Sequence, residues 1–203
     1  SGLGTYSGDV IWYRSEYSAE EVIQHVAVIP PQFEFRSGFG YSNVMFIAAG
    51  EVIRKVSGKK WDEYVRDNFL KPLRMNRTLT STNDLSSTND IAIPHKPEGD
   101  HETPVDWVNW DNVGAAGGII SSSDDMLKWI GMQLDHGIAG TDTFFSNASQ
   151  TTMWTLHNNY TVSARAHEIY GRNFSGYGLG WGLNDYQGNF VVSHTGGYDG
   201  MYS

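Results

Sequence analysis

The sequence has 203 residues and a formal net charge of −9, with no basic run longer than Lys59-Lys60. This charge argues against nucleic acid or an anionic membrane surface as a partner, and no stretch approaches the roughly 18 apolar residues that a membrane-spanning helix needs. Hydrophobic residues make up 39% of the chain, enough for a packed core, and the absence of cysteine excludes disulfides and thiolate metal sites. The 23 glycines favour a loop-rich α/β or α+β protein over a helical bundle.

The first part of the chain predicts a short extended segment and two helices. Residues 10–13 are apolar and aromatic and predict the extended segment. Ser18-Ala19-Glu20-Glu21 is a capping box, so a helix should begin there and end before Pro30. A second helix should begin at residue 42 or 43, run to about residue 56 and stop at Gly58. Its inward face should be formed by Val44, Ile47, Ala48, Val52 and Val56.

The middle of the chain predicts one more helix and then a long polar segment. The helix should cover residues 60–70 and stop before Pro72, with an inward face formed by Trp61, Tyr64, Val65 and Phe69. Residues 76–112 are rich in Thr, Ser, Asn and Pro and predict a long excursion over the surface, with one strand at residues 91–95. Residues 114–118 predict a glycine-alanine turn.

The last part of the chain predicts two helices and a β-hairpin. The first helix should open at Ser122-Ser123-Asp124-Asp125, run to His136 and stop at Gly137, because acidic residues suit the first turn of a helix. The remaining elements are a helix over residues 147–156 and a hairpin whose strands cover residues 177–184 and 189–194, around a turn at residues 185–188.

Tyr41-Ser42-Asn43 places a phenol and a carboxamide at the start of the second predicted helix. Backbone N–H groups and the helix dipole favour a negative oxygen there, and cationic neighbours can lower the pKa of a tyrosine enough for it to act as a base. Asn43 could donate a hydrogen bond to a substrate carbonyl. The alternative is structural, with Tyr41 at the edge of the core and Ser42 or Asn43 as a helix cap.

His194-Thr195-Gly196-Gly197 follows the last predicted strand. Glycines at that place let a substrate lie against the backbone as an added strand, and one amide just past the strand can point at a developing oxyanion. Thr195, Gly196 and the neighbouring Tyr198 are therefore candidate substrate-binding residues. The alternative is a plain strand followed by a glycine turn, with His194 on the surface.

Other aromatic and metal-capable side chains favour structural interpretations. Trp107, Trp110 and Tyr198 could line a substrate pocket or a sugar site, but aromatic residues in such numbers are more often core or pocket wall. Four residues of a polar loop could bind a metal: His95, Asp100, His101 and Glu102. Because no helical spacing aligns the two histidines, we expect a surface loop there, and the sequence predicts no metal and no cofactor.

The segments around these motifs resemble the serine β-lactamase and penicillin-binding-protein superfamily, in its class C, DD-carboxypeptidase and esterase branch. Matching segments are Tyr41-Ser42-Asn43, residues 49–53, Val56-Ser57-Gly58, Pro72-Leu73-Arg74-Met75 with Thr78, residues 116–122 with Asp125, His194-Thr195-Gly196-Gly197 and the opening Ser1-Gly2-Leu3. Arg74 stands where the family usually has glycine, which we interpret as a tolerated surface change. His194 stands where β-lactamases commonly carry lysine, which favours a peptidase or esterase over a true β-lactamase.

The resemblance implies an α+β fold of the β-lactamase/transpeptidase type, an antiparallel sheet flanked by helices with a helical domain inserted. Residues 1–203 would be a single domain, incomplete at both ends and without strands beyond His194. Residues 18–175 would form the mainly helical region with long loops, and residues 176–203 the hairpin that carries the His194 motif. Open sheet edges would favour self-association.

The resemblance also implies a serine hydrolase that forms an acyl-enzyme from an amide or ester. Tyr41 would be the general base and acid, Asn43 would orient the substrate carbonyl or a lysine, and His194 would steer a substrate carboxylate. Gly197 would supply half of the oxyanion hole. The family's nucleophile lies in a Ser-x-x-Lys motif upstream of Tyr41, which this chain begins too late to contain, so we expect the chain alone to be inactive.

Several alternatives stay open at this point. Ser57-Gly58-Lys59-Lys60 spells Ser-x-x-Lys, but it lies after Tyr41 and at a helix end, which favours a structural turn. A non-catalytic module that binds peptides or cell-wall fragments is the second hypothesis, and a carbohydrate-binding protein that uses Trp107 and Trp110 is the third. The sequence does not choose between a β-lactam, a D-amino-acid peptide and an ester as the small-molecule or peptide substrate. The resemblance alone suggests a periplasmic or secreted protein.

Overall fold

The computed structural model describes residues 1–85 and 90–203. Residues 86–89, which belong to the predicted polar surface segment, lie outside the described residues. The chain divides into two compact units, one formed by Ser1–Ile130 with Gly196–Ser203 and one formed by Gly131–Thr195. The mixture of helices and antiparallel strands confirms the predicted α+β class. None of the described helices has the length and apolar character to cross a membrane.

The first helix of the first unit, α1 (Asp9–Trp12), forms where the sequence predicted an extended segment. That prediction is wrong because burial decides the local conformation. Trp12 is 6% exposed and belongs to the core of this unit. Gly8, with φ of 90°, turns the chain into the helix in a backbone conformation that glycine adopts at little cost. The core cluster consists of Leu3, Trp12, Val22, Val26, Val44, Ile47 and Val113.

The helix α2 (Ala19–Val26) begins as its capping box predicts. The Ser18 hydroxyl accepts a hydrogen bond from the Glu21 amide at 3.3 Å, and the Glu21 carboxylate accepts one from the Ser18 amide at 2.8 Å. Two donors at the helix start are thereby satisfied. Val22 and Val26 lie on the inward face and are 0% and 4% exposed.

The helix α3 (Asn43–Ser57) ends at Gly58, which has the left-handed φ of 74° that the sequence predicted for it. Its predicted apolar face is only half right. Val44 and Ile47 are buried, but Val52 and Val56 are 61% and 82% exposed. The reason is that only residues from the first half of α3 pack into the core cluster.

The next helical segment covers the predicted residues but changes its geometry. It starts as α4 (Trp61–Val65) and widens into a π-helix at Arg66–Leu70. The predicted inward side chains are half-buried, and Leu70 with Leu73 completes the buried side. Thr78, a few residues on, donates a hydrogen bond to Asp125 at 2.9 Å, so two of the segments that carry the family resemblance are in contact.

The polar segment contains a hairpin that the sequence did not place correctly. The strands are β1 (His95–Glu98) and β2 (His101–Pro104), so the strand predicted at residues 91–95 is wrong. Gly99, with φ of 63°, makes the turn between them. The predicted turn at residues 114–118 is instead the short helix α5 (Gly114–Gly117). Next comes α6 (Ser123–Leu134), which ends two residues before the predicted His136.

The second unit is built around a four-stranded antiparallel sheet with the order β5-β6-β7-β8. Its strands are β5 (Asn158–Asn159), β6 (Ser175–Tyr177), β7 (Gly182–Tyr186) and β8 (Asn189–Ser193). The chain reaches this sheet through a two-residue pair, β3 (Ile138–Ala139) with β4 (Asp142–Thr143), and two helices, α7 (Asn147–Met153) and α8 (Ala164–Tyr170). The helix α7 ends three residues short of its predicted end.

The predicted hairpin before His194 is confirmed, but its first strand is wrong. Residues 177–184 do not form one strand, because the chain turns at Gly180 (φ 81°) and separates β6 from β7. The turn between β7 and β8 is also tighter than predicted. Tyr186 pairs with Asn189, so only Gln187 and Gly188 connect the strands. Both have positive φ, as two-residue turns of type I′ require.

The chain ends with a small hairpin in the first unit, formed by β9 (Gly197–Tyr198) and β10 (Met201–Tyr202). The expectation that no strand follows His194 is therefore wrong. Gly200, with φ of 77°, makes the turn, and its carbonyl oxygen accepts a hydrogen bond from the His95 amide at 3.1 Å. This bond ties the terminal hairpin to β1.

Candidate active site

Tyr41 lies just before α3 and is held by the first residues of the chain. Its amide donates a hydrogen bond to the Thr5 hydroxyl at 3.3 Å, and its carbonyl oxygen accepts one from the Tyr6 amide at 2.8 Å. The Tyr6 ring meets the Tyr41 ring edge-on, with centroids 5.5 Å apart. Burial raises the pKa of Tyr41, and Tyr6 and Asp9 raise it further. At neutral pH the phenol is therefore protonated, and a base role requires a cation close to it.

Asn43 is the first residue of α3, and its side chain binds Asp9. The Asn43 amide Nδ2 donates a hydrogen bond to Asp9 Oδ2 at 2.8 Å, while Asp9 Oδ1 is buried with no hydrogen-bond partner among the described residues. Ser42 is the helix cap, because its hydroxyl accepts a hydrogen bond from the Met45 amide at 3.4 Å. The helix cap is therefore Ser42 and not Asn43, whose carboxamide is held by Asp9.

Asp9 is a residue that sequence reasoning missed. It lies 34 positions before Asn43, so no local spacing links the two. The one available signal was an acidic residue directly after a glycine. That pattern is typical of a helix start and says nothing about a distant carboxamide.

His194 follows β8 in the second unit, and both of its ring nitrogens have partners there. Nδ1 lies 2.6 Å from the Thr195 carbonyl oxygen, and Nε2 lies 2.8 Å from the Tyr177 hydroxyl. The Tyr177 and His194 rings are nearly perpendicular, with centroids 5.9 Å apart. Tyr177 is the second residue that the sequence analysis missed, since it was predicted only as a strand residue.

Gly196, Gly197 and Tyr198 belong to the terminal hairpin of the first unit. The Gly196 amide and carbonyl both pair with Ser203, at 2.9 and 3.0 Å, which holds the glycine backbone in place. Gly196 and Gly197 are both exposed. Thr195, the neighbour of His194, lies in the second unit.

Tyr198 is an anchor of this hairpin. Its hydroxyl donates to the Val108 carbonyl oxygen and accepts from the Val108 amide. Its ring packs on Trp110 and Trp107 at centroid distances of 4.7 and 5.5 Å, and Trp110 also packs on Trp12 at 5.3 Å. Trp110 is therefore engaged on two sides, which favours a packed aromatic cluster over a sugar platform. Burial raises the pKa of Tyr198.

The two remaining candidates have structural surroundings. The Ser57 hydroxyl at the end of α3 donates to the Ile53 carbonyl oxygen at 2.7 Å, and the Lys59 amine pairs with Asp67 at 2.6 Å. His95 and His101 lie at different ends of the β1-β2 register. Across residues 1–85 and 90–203, no group of three or more histidine, aspartate or glutamate side chains is placed to hold a metal ion.

Comparison with known proteins identifies similar sequences and folds. A family model described as Beta-lactamase matches residues 1–203. The Unguisins hydrolase ungD' of Aspergillus campestris is 29% identical over 188 residues, which cover 91% of this chain and 33% of that protein. This chain therefore spans about a third of the length of that curated relative.

Two solved structures share the fold with TM-scores of 0.74. The octameric penicillin-binding protein homologue from Pyrococcus abyssi is 22% identical, with coverage of 97% of this chain and 44% of that one. The D-stereospecific amidohydrolase from Streptomyces sp. is also 22% identical, with coverage of 98% and 59%. These similarities confirm the β-lactamase/transpeptidase-like fold that the sequence predicted.

Proposed function

Because this chain belongs to the beta-lactamase family, we propose that it carries part of the active site of a serine hydrolase that works through an acyl-enzyme. The observation that carries the proposal is the match of the Beta-lactamase family model to residues 1–203, and each motif has a suitable local setting within its own unit. Tyr41 and Asn43 lie at the start of a capped helix, and His194 lies at the end of a strand that leads into exposed glycines. The hydrolases among the similar proteins support the same reaction class.

In this proposal each residue has one role in opening an amide or ester bond. The serine oxygen attacks the substrate carbonyl, and Tyr41, with a lysine beside it, accepts the serine proton and passes it to the leaving group. Asn43, fixed by Asp9, orients the carbonyl or the lysine. The Gly197 amide donates to the developing oxyanion, and His194 takes part in substrate recognition. Water then releases the acyl group.

We further propose that Ser57 is not the nucleophile and that these 203 residues alone do not turn over substrate. Ser57 is exposed, and its hydroxyl bonds to the Ile53 and Lys59 carbonyl oxygens. An activated serine needs a base within hydrogen-bond reach, whereas the partners of the Ser57 hydroxyl here are backbone carbonyl oxygens, which cannot take its proton. The raised pKa of Tyr41 also favours an inactive phenol as long as no cation lies beside it.

The test is intact-mass spectrometry after treatment with a fluorophosphonate and, separately, with a penicillin. The 203-residue chain, its Ser57→Ala variant and the protein expressed from the complete reading frame are compared. We expect one adduct on the complete protein and none on the two short chains. Labelling of the short chain that disappears in Ser57→Ala would identify Ser57 as the nucleophile. No labelling of any form would favour a non-catalytic module that binds peptides or cell-wall fragments.

A further inference from the structure

Tyr177 and His194 form a pair across the sheet of the second unit. Gly182 in β7 is opposite Tyr177 on one side and opposite Ser193 on the other. Neighbouring strands are about 4.8 Å apart, so Tyr177 and Ser193 lie in one row across three strands. Gly182 adds no side chain to that row. His194 follows Ser193 just past the end of β8, and the Tyr177 hydroxyl lies 2.8 Å from its Nε2.

The two partners of His194 fix its tautomer. A carbonyl oxygen can only accept, so the nitrogen 2.6 Å from the Thr195 oxygen, Nδ1, carries the proton. In the neutral ring Nε2 then has a lone pair, and the Tyr177 hydroxyl donates to it. The single N–H of the neutral imidazole is engaged by the chain's own backbone.

This arrangement affects which substrates the ring can bind. A carboxylate offers only acceptor oxygens and needs a donor or a cation. In a neutral His194 the N–H is bonded to the Thr195 carbonyl oxygen, and the lone pair accepts from the Tyr177 hydroxyl. Such a ring offers a carboxylate neither a donor nor a positive charge. Binding a carboxamide or ester oxygen next to this ring costs less free energy than binding a carboxylate, because the carboxamide or ester carries no full charge that needs compensation.

We propose that Tyr177 is a specificity-determining residue: by occupying Nε2 of His194, it makes the site prefer amide and ester substrates whose leaving group has no carboxylate. This rests on the proposed serine-hydrolase function and replaces the expectation that His194 steers a carboxylate. Without the hydroxyl, the single N–H of the neutral ring can also lie on Nε2, from where it can donate to a substrate carboxylate.

The first experiment measures the tautomer on the 203-residue chain and needs no activity. Nitrogen chemical shifts of the His194 ring are recorded by NMR at a pH where the ring is neutral. We expect the Nδ1–H form in the wild type, and a mixture of tautomers in Tyr177→Phe. The control is Tyr186→Phe, which removes another tyrosine hydroxyl from the same sheet and should leave the His194 spectrum unchanged. An Nε2–H ring in the wild type would overturn the proposal.

The second experiment measures specificity on the protein from the complete reading frame. Its substrates are an N-acyl-D-alanyl-D-alanine and the same peptide with a C-terminal carboxamide, which differ only in the charge of the leaving group. We expect kcat/KM to favour the carboxamide by about tenfold or more, the effect of one hydrogen bond to a charged group, and the ratio to fall in Tyr177→Phe but not in Tyr186→Phe.

The outcomes separate the inference from the function on which it rests. Turnover with no carboxamide preference, or with a preference that Tyr177→Phe leaves unchanged, would overturn the role of Tyr177 alone. If neither peptide is cleaved and no serine is labelled, the hydrolase function fails and the specificity role fails with it.

Discussion

Arg74 has a backbone conformation that is unfavourable for its side chain. It has a left-handed φ of 55°, at the position where the resembling family usually has glycine. A residue with a Cβ in this region is destabilised by about 1–2 kcal/mol. The side chain is exposed, and the Arg74 carbonyl oxygen accepts a hydrogen bond from the Lys128 amine. Because this bond uses backbone, substitution by glycine should keep it.

We expect Arg74→Gly to raise the free energy of unfolding by about 0.5–1 kcal/mol, since the relief of strain exceeds the added chain entropy of glycine. Urea unfolding measures the change. Arg74→Ala removes the same side chain but keeps the Cβ, so it should give no such gain. Equal effects of Arg74→Gly and Arg74→Ala would contradict the backbone explanation.

Gly58→Ala is the reverse substitution. Gly58 has φ of 74° and free space around it, so alanine there should lower the free energy of unfolding by about 1 kcal/mol in the same urea experiment.

Asp9 acts on Tyr41 through charge as well as on Asn43 through a hydrogen bond. Its carboxylate is one of the groups that raise the pKa of Tyr41, after burial and Tyr6. In Asp9→Asn the acceptor oxygen for Asn43 is kept and the charge is lost. We therefore expect the pKa of Tyr41 to fall but to stay above its ordinary value of about 10, because burial remains. NMR titration of the Tyr41 ring carbons checks this, with the exposed Asp84→Asn as the control; a shift of equal size in both variants would exclude a local effect.

At the level of elements, Asp185 connects β7 to the chain segment before β6. It is 5% exposed and accepts hydrogen bonds from the amides of Asn173 and Phe174 and from the Asn173 side chain, all at 2.7–3.0 Å. The Phe174 amide and then the Asn173 side chain hold the pKa of Asp185 at about 2. The unfolded chain has an Asp pKa of about 3.9, so the carboxylate stabilises the fold above about pH 4.

This contribution should be lost as the pH falls from about 4 to about 2, because the folded-state carboxylate then becomes protonated. We expect Asp185→Asn to be less stable than the wild type at neutral pH and the two unfolding curves to converge toward pH 2. Denaturant unfolding at a series of pH values measures this. Asp142→Asn, an exposed residue of β4, should differ little from the wild type at any pH. If the free energies of unfolding of Asp185→Asn and the wild type differ by a constant amount down to pH 2, the charge of Asp185 does not account for the loss of stability.

Sequence motifs correctly predicted those helix ends whose hydrogen bonds form between residues close together in the chain. The capping box at Ser18 and the glycine at the end of α3 were readable because each is satisfied within one turn of the chain. The inward face of α3 was wrong in its second half, since exposure of Val52 and Val56 depends on where other elements stop. The extended segment predicted at residues 10–13 failed for the same reason, because the burial of Trp12 depends on residues far along the chain.

At the scale of the whole molecule, the family resemblance indicated the fold and the motifs but not the partners of the motif residues. Asp9 meets Asn43, and Tyr177 meets His194, across 34 and 17 positions of sequence. No periodicity or spacing rule reports such contacts, because they arise when separate elements pack. The candidate site could therefore be predicted as a set of motifs, while its hydrogen-bonded neighbours required the structure.

The sheet of the second unit has an edge that should cause self-association. Within the described residues β8 pairs with β7 alone, and its sequence, Asn189–Ser193, has neither the lysine nor the proline that commonly protect edge strands. Phe190 on this strand is 53% exposed. We expect the average mass of the 203-residue chain in sedimentation experiments to rise with concentration as edges pair.

A charge on the edge should suppress this association, whereas the same charge on the neighbouring strand should not. Phe190→Lys adds a lysine to β8, and Tyr186→Lys adds one to β7 at a side chain of similar exposure, 47%. Circular dichroism establishes that both variants fold. A monomer at all concentrations, or an equal loss of association in both variants, would contradict pairing through β8. Loss in Phe190→Lys alone would place the contact at this strand, because only there does the lysine meet the backbone of a second chain.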